Sequence, residues 1–244
     1  MLNTDNQIYL KSNMELITTV ENLREKLSEY KNNRQIIGLV PTMGALHQGH
    51  LSLISFLKPK ANVIITSIFV NPIQFGPNED FQKYPRALSE DYKKLEQSAC
   101  DIVFAPSVSE VFPSGFETFI DVGSVSNGLC GAFRPDHFRG VATVVLKLFH
   151  ITQADVAVFG EKDYQQLQVI QQMTKDLNVP ITVLGVPTMR ESDGLAMSSR
   201  NQYLSTEHRK IAANIYRGLQ LMKDLILLGN HNVSEIISEG KNFY

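Results

Sequence analysis

The chain has no tryptophan and only two cysteines among 244 residues. Cys100 and Cys130 form no CxxC pair and no disulfide framework, so both read as reduced thiols, and a disulfide-stapled secreted fold is excluded. No apolar run reaches the ~20 residues that a membrane-spanning helix needs. The opening segment MLNTDNQIYLKSN lacks the apolar core of a secretory signal, and a cytoplasmic location with no membrane partner is the expectation. An excess of one charge is missing as well. Lys and Arg total 23 against 25 Asp and Glu, a net charge of −2. No overall positive field draws nucleic acid or anionic lipid, so any basic site must be local.

What is present is alternation. Apolar, β-rich runs at 36–41 (IIGLVP), 62–70 (NVIITSIFV), 101–106 (DIVFAP), 154–160 (ADVAVFG) and 181–187 (ITVLGVP) are separated by stretches of helical period. That order signals βαβ units, hence an α/β fold with a parallel sheet covered by helices on both faces. Thr18 and Glu21 have capping-box spacing ahead of an early helix. Helices also suit 49–58, 88–98, 140–151 and 163–177, whereas 71–86, with three prolines, reads as a long loop. After Pro187 the sequence turns polar, then helical from about Ser205 to Gly229 and again from Val233. These features divide the chain into a domain of residues 1–189 and a smaller one of 190–244.

In an open parallel sheet, ligands bind at the carboxyl ends of the strands near a topological switch point. Three segments follow predicted strands directly: TMGALHQGH, NPIQFG and EKDYQQ, and they are expected to converge on one edge. Gly44 and Gly49 have P-loop spacing, but His50-Leu51 stands where Lys and Ser or Thr are needed, and no GxGxxG follows a strand. What remains is His47-x-Gly49-His50 at a helix start, where backbone N–H groups and the helix dipole favour an anion. Two imidazoles there can donate to phosphate oxygens as charge develops on phosphorus, and Gly49 lets a ligand approach the backbone. A satisfied surface or core histidine and a His–His metal pair are the competing readings. No further ligand lies nearby in sequence to complete a metal site.

A His-x-Gly-His after a strand resembles the ATP-holding element of nucleotidyltransferases and class I aminoacyl-tRNA synthetases. MSSR at 197–200 is similar to their second signature, with Ser198 and Ser199 as donors and Arg200 as a fork for phosphate oxygens. Five segments in order, VPTMGALHQGHLSLI, SIFVNPIQFGPNEDFQKYPR, GLCGAFRPDHFRGVATVV, VFGEKDYQQL and RESDGLAMSSRNQYL, closely resemble the pantoate–β-alanine ligase family from about Leu16 to Leu204.

The resemblance implies a Rossmann-like N-terminal domain, a small C-terminal lid and a homodimer. It implies pantoate, β-alanine and ATP as small-molecule substrates, with Mg²⁺. The implied reaction has two steps: pantoate attacks the α-phosphorus of ATP to give pantoyl adenylate and pyrophosphate, then β-alanine displaces AMP. An adenylate makes chemical sense, because a carboxylate's own leaving group would be oxide, whereas AMP leaves readily.

By resemblance, His47, His50, Lys162, Ser198, Ser199 and Arg200 serve catalysis. Met43, Gly49, Gly160, Asp163 and Met197 join His47, His50, Lys162, Ser198 and Arg200 around ATP, with Asp163 on the ribose. Gln74, Gln166, Asn71 and Arg134 are assigned to substrate, and Glu90 and Asp91 loosely match an acidic metal pair. Asp163 could instead cap the helix that follows it, and Lys162, Gln74 and Gln166 could be solvated surface residues. Arg134, His137 and Arg139 suit pyrophosphate or the β-alanine carboxylate, and equally a structural turn or dimer contact.

Two departures stand out. Asp136 occupies a position where the family usually has Gly. The strands expected of the family's C-terminal domain are not evident after HNVSEIISEGKNFY, which leaves either a minimal, mainly helical lid or a chain that lacks a tail. Two other functions stay open at this point. One is a nucleotidyltransferase acting on a phosphorylated acceptor, which would need a basic pocket at Gln74 and Gln166. The other is a non-catalytic nucleotide-binding module, indifferent to loss of the histidines.

Overall fold

The computed structural model describes residues 14–243. The reading of MLNTDNQIYLKSN therefore concerns residues outside the described part. The described residues form six strands: β1 (Glu15–Ile17), β2 (Ile37–Thr42), β3 (Val63–Ile68), β4 (Ile102–Phe104), β5 (Val156–Gly160) and β6 (Thr182–Val186). They form one sheet in the order β1-β4-β3-β2-β5-β6, with every neighbouring pair parallel. Five are the runs expected from sequence. The sixth, β1, is the three-residue stretch Glu-Leu-Ile, too short to show alternation, and it adds to the sheet edge beside β4.

The helices are α1 (Val20–Asn32), α2 (Gln48–Leu57), α3 (Leu88–Glu96), α4 (Val108–Val111), α5 (Leu129–Phe133), α6 (His137–Thr152), α7 (Tyr164–Asp176), α8 (Thr206–Ala212), α9 (Asn214–Leu227) and α10 (Val233–Lys241). The capping box predicted from Thr18 and Glu21 is replaced by a one-sided cap one residue later. Thr19 is the cap, its hydroxyl accepts from Asn22 N, and the carboxylate of Glu110, not Glu21, takes the Val20 N–H at 2.6 Å. The 71–86 loop holds two short 3₁₀ turns, Pro72–Gln74 and Asp80–Gln82.

Strand periodicity of two divides the core cleanly. Ile37, Leu39, Val63, Ile65, Ile102, Phe104, Ala157 and Phe159 point to one face, where they pack with α1, α6 and α7. Val40, Ile64, Val103, Val156 and Val158 point to the other, against Leu53, Ile54 and Leu57 of α2 and Leu95 of α3. Both faces are covered, which is why these strands read as continuous apolar runs. Both cysteines are free thiols, and burial pushes the Cys100 thiol up to about 11. No helix among the described residues is long and apolar enough to cross a membrane.

The chain separates into two compact units. The first runs to Leu46 and resumes over His50–Val186; the second joins His47–Gly49 to the residues from Pro187 onward. In the second unit α10 packs on α9, with Ile236 and Ala213 buried. The Arg190 guanidinium lies 3.8 Å from the centroid of the Tyr216 ring. Arg209 forks onto Asp193 at 2.6 and 3.3 Å and holds that carboxyl below its usual range. The described residues of this unit contain helices and one isolated bridge, Arg190 to Ala196, but no strand.

Candidate active site

The chain leaves β2 toward β3 on one side, while β5 flanks β2 on the other, so the sheet's switch point lies between β2 and β5. The segments after β2, β3 and β5 are therefore neighbours at one sheet edge. After β2 the chain turns sharply. Gly44 (φ 82°) and Ala45 (φ 50°) are consecutive left-handed residues, and Thr42 Oγ1 accepts from Gly44 N at 3.2 Å. Met43 sits in this turn. His47 precedes α2 and His50 lies in its first turn.

The His47 ring has a defined polarity. Gly49 N donates to His47 Nδ1 at 3.1 Å. A nitrogen that accepts a hydrogen bond carries no proton, so the neutral imidazole bears its N–H on Nε2.

After β3, Asn71 is 1% exposed and Gln74 is 9% exposed. Asn71 Nδ2 donates to Gln74 Oε1 at 2.9 Å and to Gly140 O at 3.1 Å, while Gln74 Nε2 reaches Met43 Sδ at 3.2 Å. Asn71 Oδ1 is buried and has no hydrogen-bond partner among the described residues. The loops after β2 and β3 are thus joined through Gln74, a residue that sequence alone also permits on a solvated loop.

The basic cluster of 134–139 divides. Arg134 forks onto Glu79 through Nε and Nη2, and its Nη1 lies 3.0 Å from His137 Nε2; His137 Nδ1 lies 2.8 Å from Gln74 O. Since Gln74 O can only accept and the guanidinium can only donate, His137 carries its proton on Nδ1 and accepts at Nε2. The Arg134 fork holds the Glu79 carboxyl below the usual range. Burial is the largest influence on His137 and lowers its pKa, with the Arg134 charge acting in the same direction. Arg139 leaves this group: its guanidinium stacks on Phe119, 4.5 Å from the ring centroid, and its Nε lies 3.6 Å from Asp121. Asp136, where Gly was expected, has φ 61°, a left-handed conformation that Gly adopts freely and Asp tolerates better than most residues.

The His137 arrangement fixes a pH response. The unfolded chain protonates His137 near pH 6.5 and the folded chain lower, so between those values the unfolded state binds more protons. The contribution of neutral His137 is complete above about pH 6.5 and is lost as the pH falls toward the folded value. The melting-temperature advantage of the natural protein over His137→Gln is expected to shrink from about pH 7.5 to about pH 5.5. Parallel melting curves across that range would contradict this.

After β5, Gly160 leads to a single 3₁₀ turn, Glu161–Asp163, and then to α7. A cavity of about 260 Å³ is lined by Lys162, Asp163, Gln165 and Gln166 from this side, and by Arg134 and His137 from the other. Lys162 Nζ lies 3.0 Å from the Asp163 carboxylate. Asp163 makes no side-chain capping bond to α7, so the capping alternative is not realised. Arg134, Lys162, Asp163 and Gln166 are brought to one cavity, which His137 links to the Gln74 backbone.

Glu90 and Asp91 do not form a ligand pair. Adjacent residues on a helix point about 100° apart; Glu90 is exposed, whereas Asp91 is 1% exposed with its two oxygens on Ala45 N (2.8 Å) and Leu46 N (2.7 Å). Among the described residues no group of three His, Cys, Asp or Glu is placed to hold a metal.

In the second unit, Met197 N donates to Met189 O, and Ser198 Oγ accepts from Arg200 N at the start of the 3₁₀ turn Ser199–Tyr203. Accepting uses an oxygen lone pair and leaves the Ser198 O–H as a donor.

Three residues of the site went unread in the sequence. Glu79 orients Arg134, Gly140 abuts the Gln74 turn, and Gln165 accepts from Cys130 N while donating toward Val125, Asn127 and Gly128 carbonyls. Only Gln165 left a local signal, its place beside Gln166 after β5.

With this geometry in hand, comparisons with known proteins agree on one family. A family model described as pantoate-beta-alanine ligase matches residues 15–243. The pantothenate synthetase of Thermoanaerobacter pseudethanolicus is 53% identical over 220 residues, covering 90% of this chain and 78% of the relative. That of Pseudomonas putida strain W619 is 49% identical over 230 residues, covering 93% and 80%. Among solved structures, the pantothenate synthetase of Thermus thermophilus superposes with a TM-score of 0.90 at 47% identity, covering 94% of this chain and 82% of that one. The pantoate-beta-alanine ligase of Francisella tularensis, solved in complex with beta-gamma ATP and beta-alanine, superposes with a TM-score of 0.81 at 38% identity, covering 94% and 86%. The parallel sheet, the three converging loops and the family match over nearly all of its length place the chain in the pantoate–β-alanine ligase family.

Proposed function

We propose that the enzyme works through a pantoyl adenylate, by two displacements on one site. A pantoate carboxylate oxygen attacks the α-phosphorus of Mg-ATP and the bond to pyrophosphate breaks. The amine of β-alanine then attacks the acyl carbon, the bond to AMP breaks, and the amine loses a proton as pantothenate forms. The observation that carries this reading is the continuity from Met43 through Gln74 and His137 to the cavity bounded by Lys162, Asp163 and Gln166. It sets neutral amides beside cationic groups at the ends of three adjacent strands.

The chemistry fits that division. Joining two anions demands positioning and charge neutralisation rather than a protein nucleophile. His47 through Nε2, together with His50 and Lys162, supplies donors to the phosphates, and Gly49, where a Cβ would lie 2.9 Å from the His47 ring, leaves room for that ring. Asp163 accepts from the ribose, with Gly160 at the adjoining strand end. Gln74, Gln166 and Asn71 take the hydroxy acid: amides donate to its carboxylate and accept from its hydroxyls, and the unpaired Asn71 Oδ1 suits a hydroxyl donor. Arg134, already committed to Glu79 and His137, offers its remaining N–H donors to the cavity. By family resemblance, residues 190–244 act as the lid, with Met197, Ser198, Ser199 and Arg200 contributing to the triphosphate. The same resemblance implies a cytoplasmic homodimer. Magnesium enters with ATP, held chiefly by phosphate and water.

The test is exchange of labelled pyrophosphate into ATP with Mg²⁺ and pantoate present and β-alanine absent. Exchange that depends on pantoate is the expected result. No exchange by a folded, ATP-binding protein would sink the adenylate.

A further inference from the structure

The turn after β2 is held from outside by α3. Ala45 has no glycine's freedom, yet it stands at φ 50° directly after Gly44 at φ 82°. A non-glycine residue keeps such a conformation only when its surroundings over-determine it. The surroundings are two side chains one helical turn apart. Asp91, buried to 1% exposure, takes the Ala45 and Leu46 N–H groups on separate oxygens, and Lys94 Nζ donates to Leu46 O at 2.8 Å. Two adjacent N–H donors need an acceptor without hydrogens, which a carboxylate is and a carboxamide is not. A side chain at position 44 would also press on Asp91, since a Cβ there would lie 2.9 Å from Oδ2.

We propose that Asp91 and Lys94 are positioning residues that grip both polarities of the 44–46 backbone and so fix the turn carrying Met43 and leading into His47. The inference rests on the adenylate reading for its consequence in rate, while the grip itself is independent of that reading. It gives Asp91 a role other than metal ligand. Neither residue touches substrate; both act through the backbone of the turn.

Pyrophosphate exchange at saturating ATP and pantoate, measured across a Mg²⁺ titration, separates these roles. Asp91→Asn puts an amide N–H against a backbone N–H, and is expected to slow exchange about 30-fold or more, in keeping with a small misplacement of phosphate-binding groups. Its half-saturating Mg²⁺ should stay within about twofold of the natural protein, since no metal ligand is lost. Lys94 is on the exposed side of α3, so Lys94→Met should fold normally even where Asp91→Asn does not. It is expected to slow exchange about fivefold, with Lys94→Arg restoring the rate, as for one lost hydrogen bond.

Amide hydrogen exchange at Ala45 and Leu46 reads the turn without reference to the reaction. It should quicken about fivefold in Lys94→Met. Natural rates and natural protection in Lys94→Met would overturn the proposal, as would a Mg²⁺ requirement raised about tenfold in Asp91→Asn. Absence of pantoate-dependent exchange in the unmodified enzyme would sink the adenylate reading instead, leaving the protection data to decide the grip.

Discussion

Replacing His47 or His50 by Ala is expected to slow pantoate-dependent pyrophosphate exchange about 100-fold or more, the usual loss for one donor aimed at charge that develops in a transition state. The case is strongest for His47. Its Nδ1 is occupied by the Gly49 N–H, so the ring is oriented and its remaining N–H is confined to Nε2 before any ligand arrives. A donor fixed in advance costs no reorganisation at the moment of reaction. The effect should therefore fall mainly on the rate at saturating substrates, with ATP affinity changed far less. His50, in the first turn of α2, adds its imidazole where the helix already favours an anion. A change below about threefold in either variant would mean that the residue does not touch the reacting phosphate.

The sequence singles out these histidines because their signal is local: two imidazoles around a glycine, between an apolar run and an amphipathic one. The same holds for Lys162, Asp163 and Gln166, which follow a strand directly. Placement at one sheet edge could be inferred because strand ends converge in any parallel sheet with a switch point. Partners distant in sequence could not be. Nothing near Arg134 announces Glu79, 55 residues away, and nothing near Ala45 announces Asp91. Asp91 did leave a trace that acidic-pair reasoning passed over. It lies four residues before the buried Leu95, on the inward face of α3, while Glu90 faces out. A carboxylate on an apolar face is expected to be accepting hydrogen bonds there. The strand β1 was missed for a different reason, since three residues carry too little pattern to be told from a loop.

Gly140 shows how a residue of the site can lack any chemistry of its own. It lies in α6, whose Phe138, Val141, Ala142, Val144, Val145, Leu148 and Phe149 are buried in the core. A Cβ at Gly140 would stand 2.3 Å from Ile73 O and 2.6 Å from Gln74 Cα, both backbone atoms. With α6 anchored by its buried face, the turn Pro72–Gln74 is the part that gives way. That turn is pinned by the Asn71 amide to Gly140 O and by His137 to Gln74 O, and both contacts move with it.

Gly140→Ala is therefore expected to raise the pantoate KM about tenfold or more, the equivalent of one or two displaced hydrogen bonds, while the ATP KM changes less than about threefold. Overpacking of this kind costs about 1–3 kcal/mol, so the melting temperature should fall by several degrees. Gln74→Ala supplies the control: it removes the amide without forcing α6 and the turn apart, and should raise the pantoate KM with a smaller loss of stability. Equal increases in both KM values for Gly140→Ala would show that the turn does not serve the hydroxy acid alone. An unchanged pantoate KM in both variants would remove Gln74 from the site.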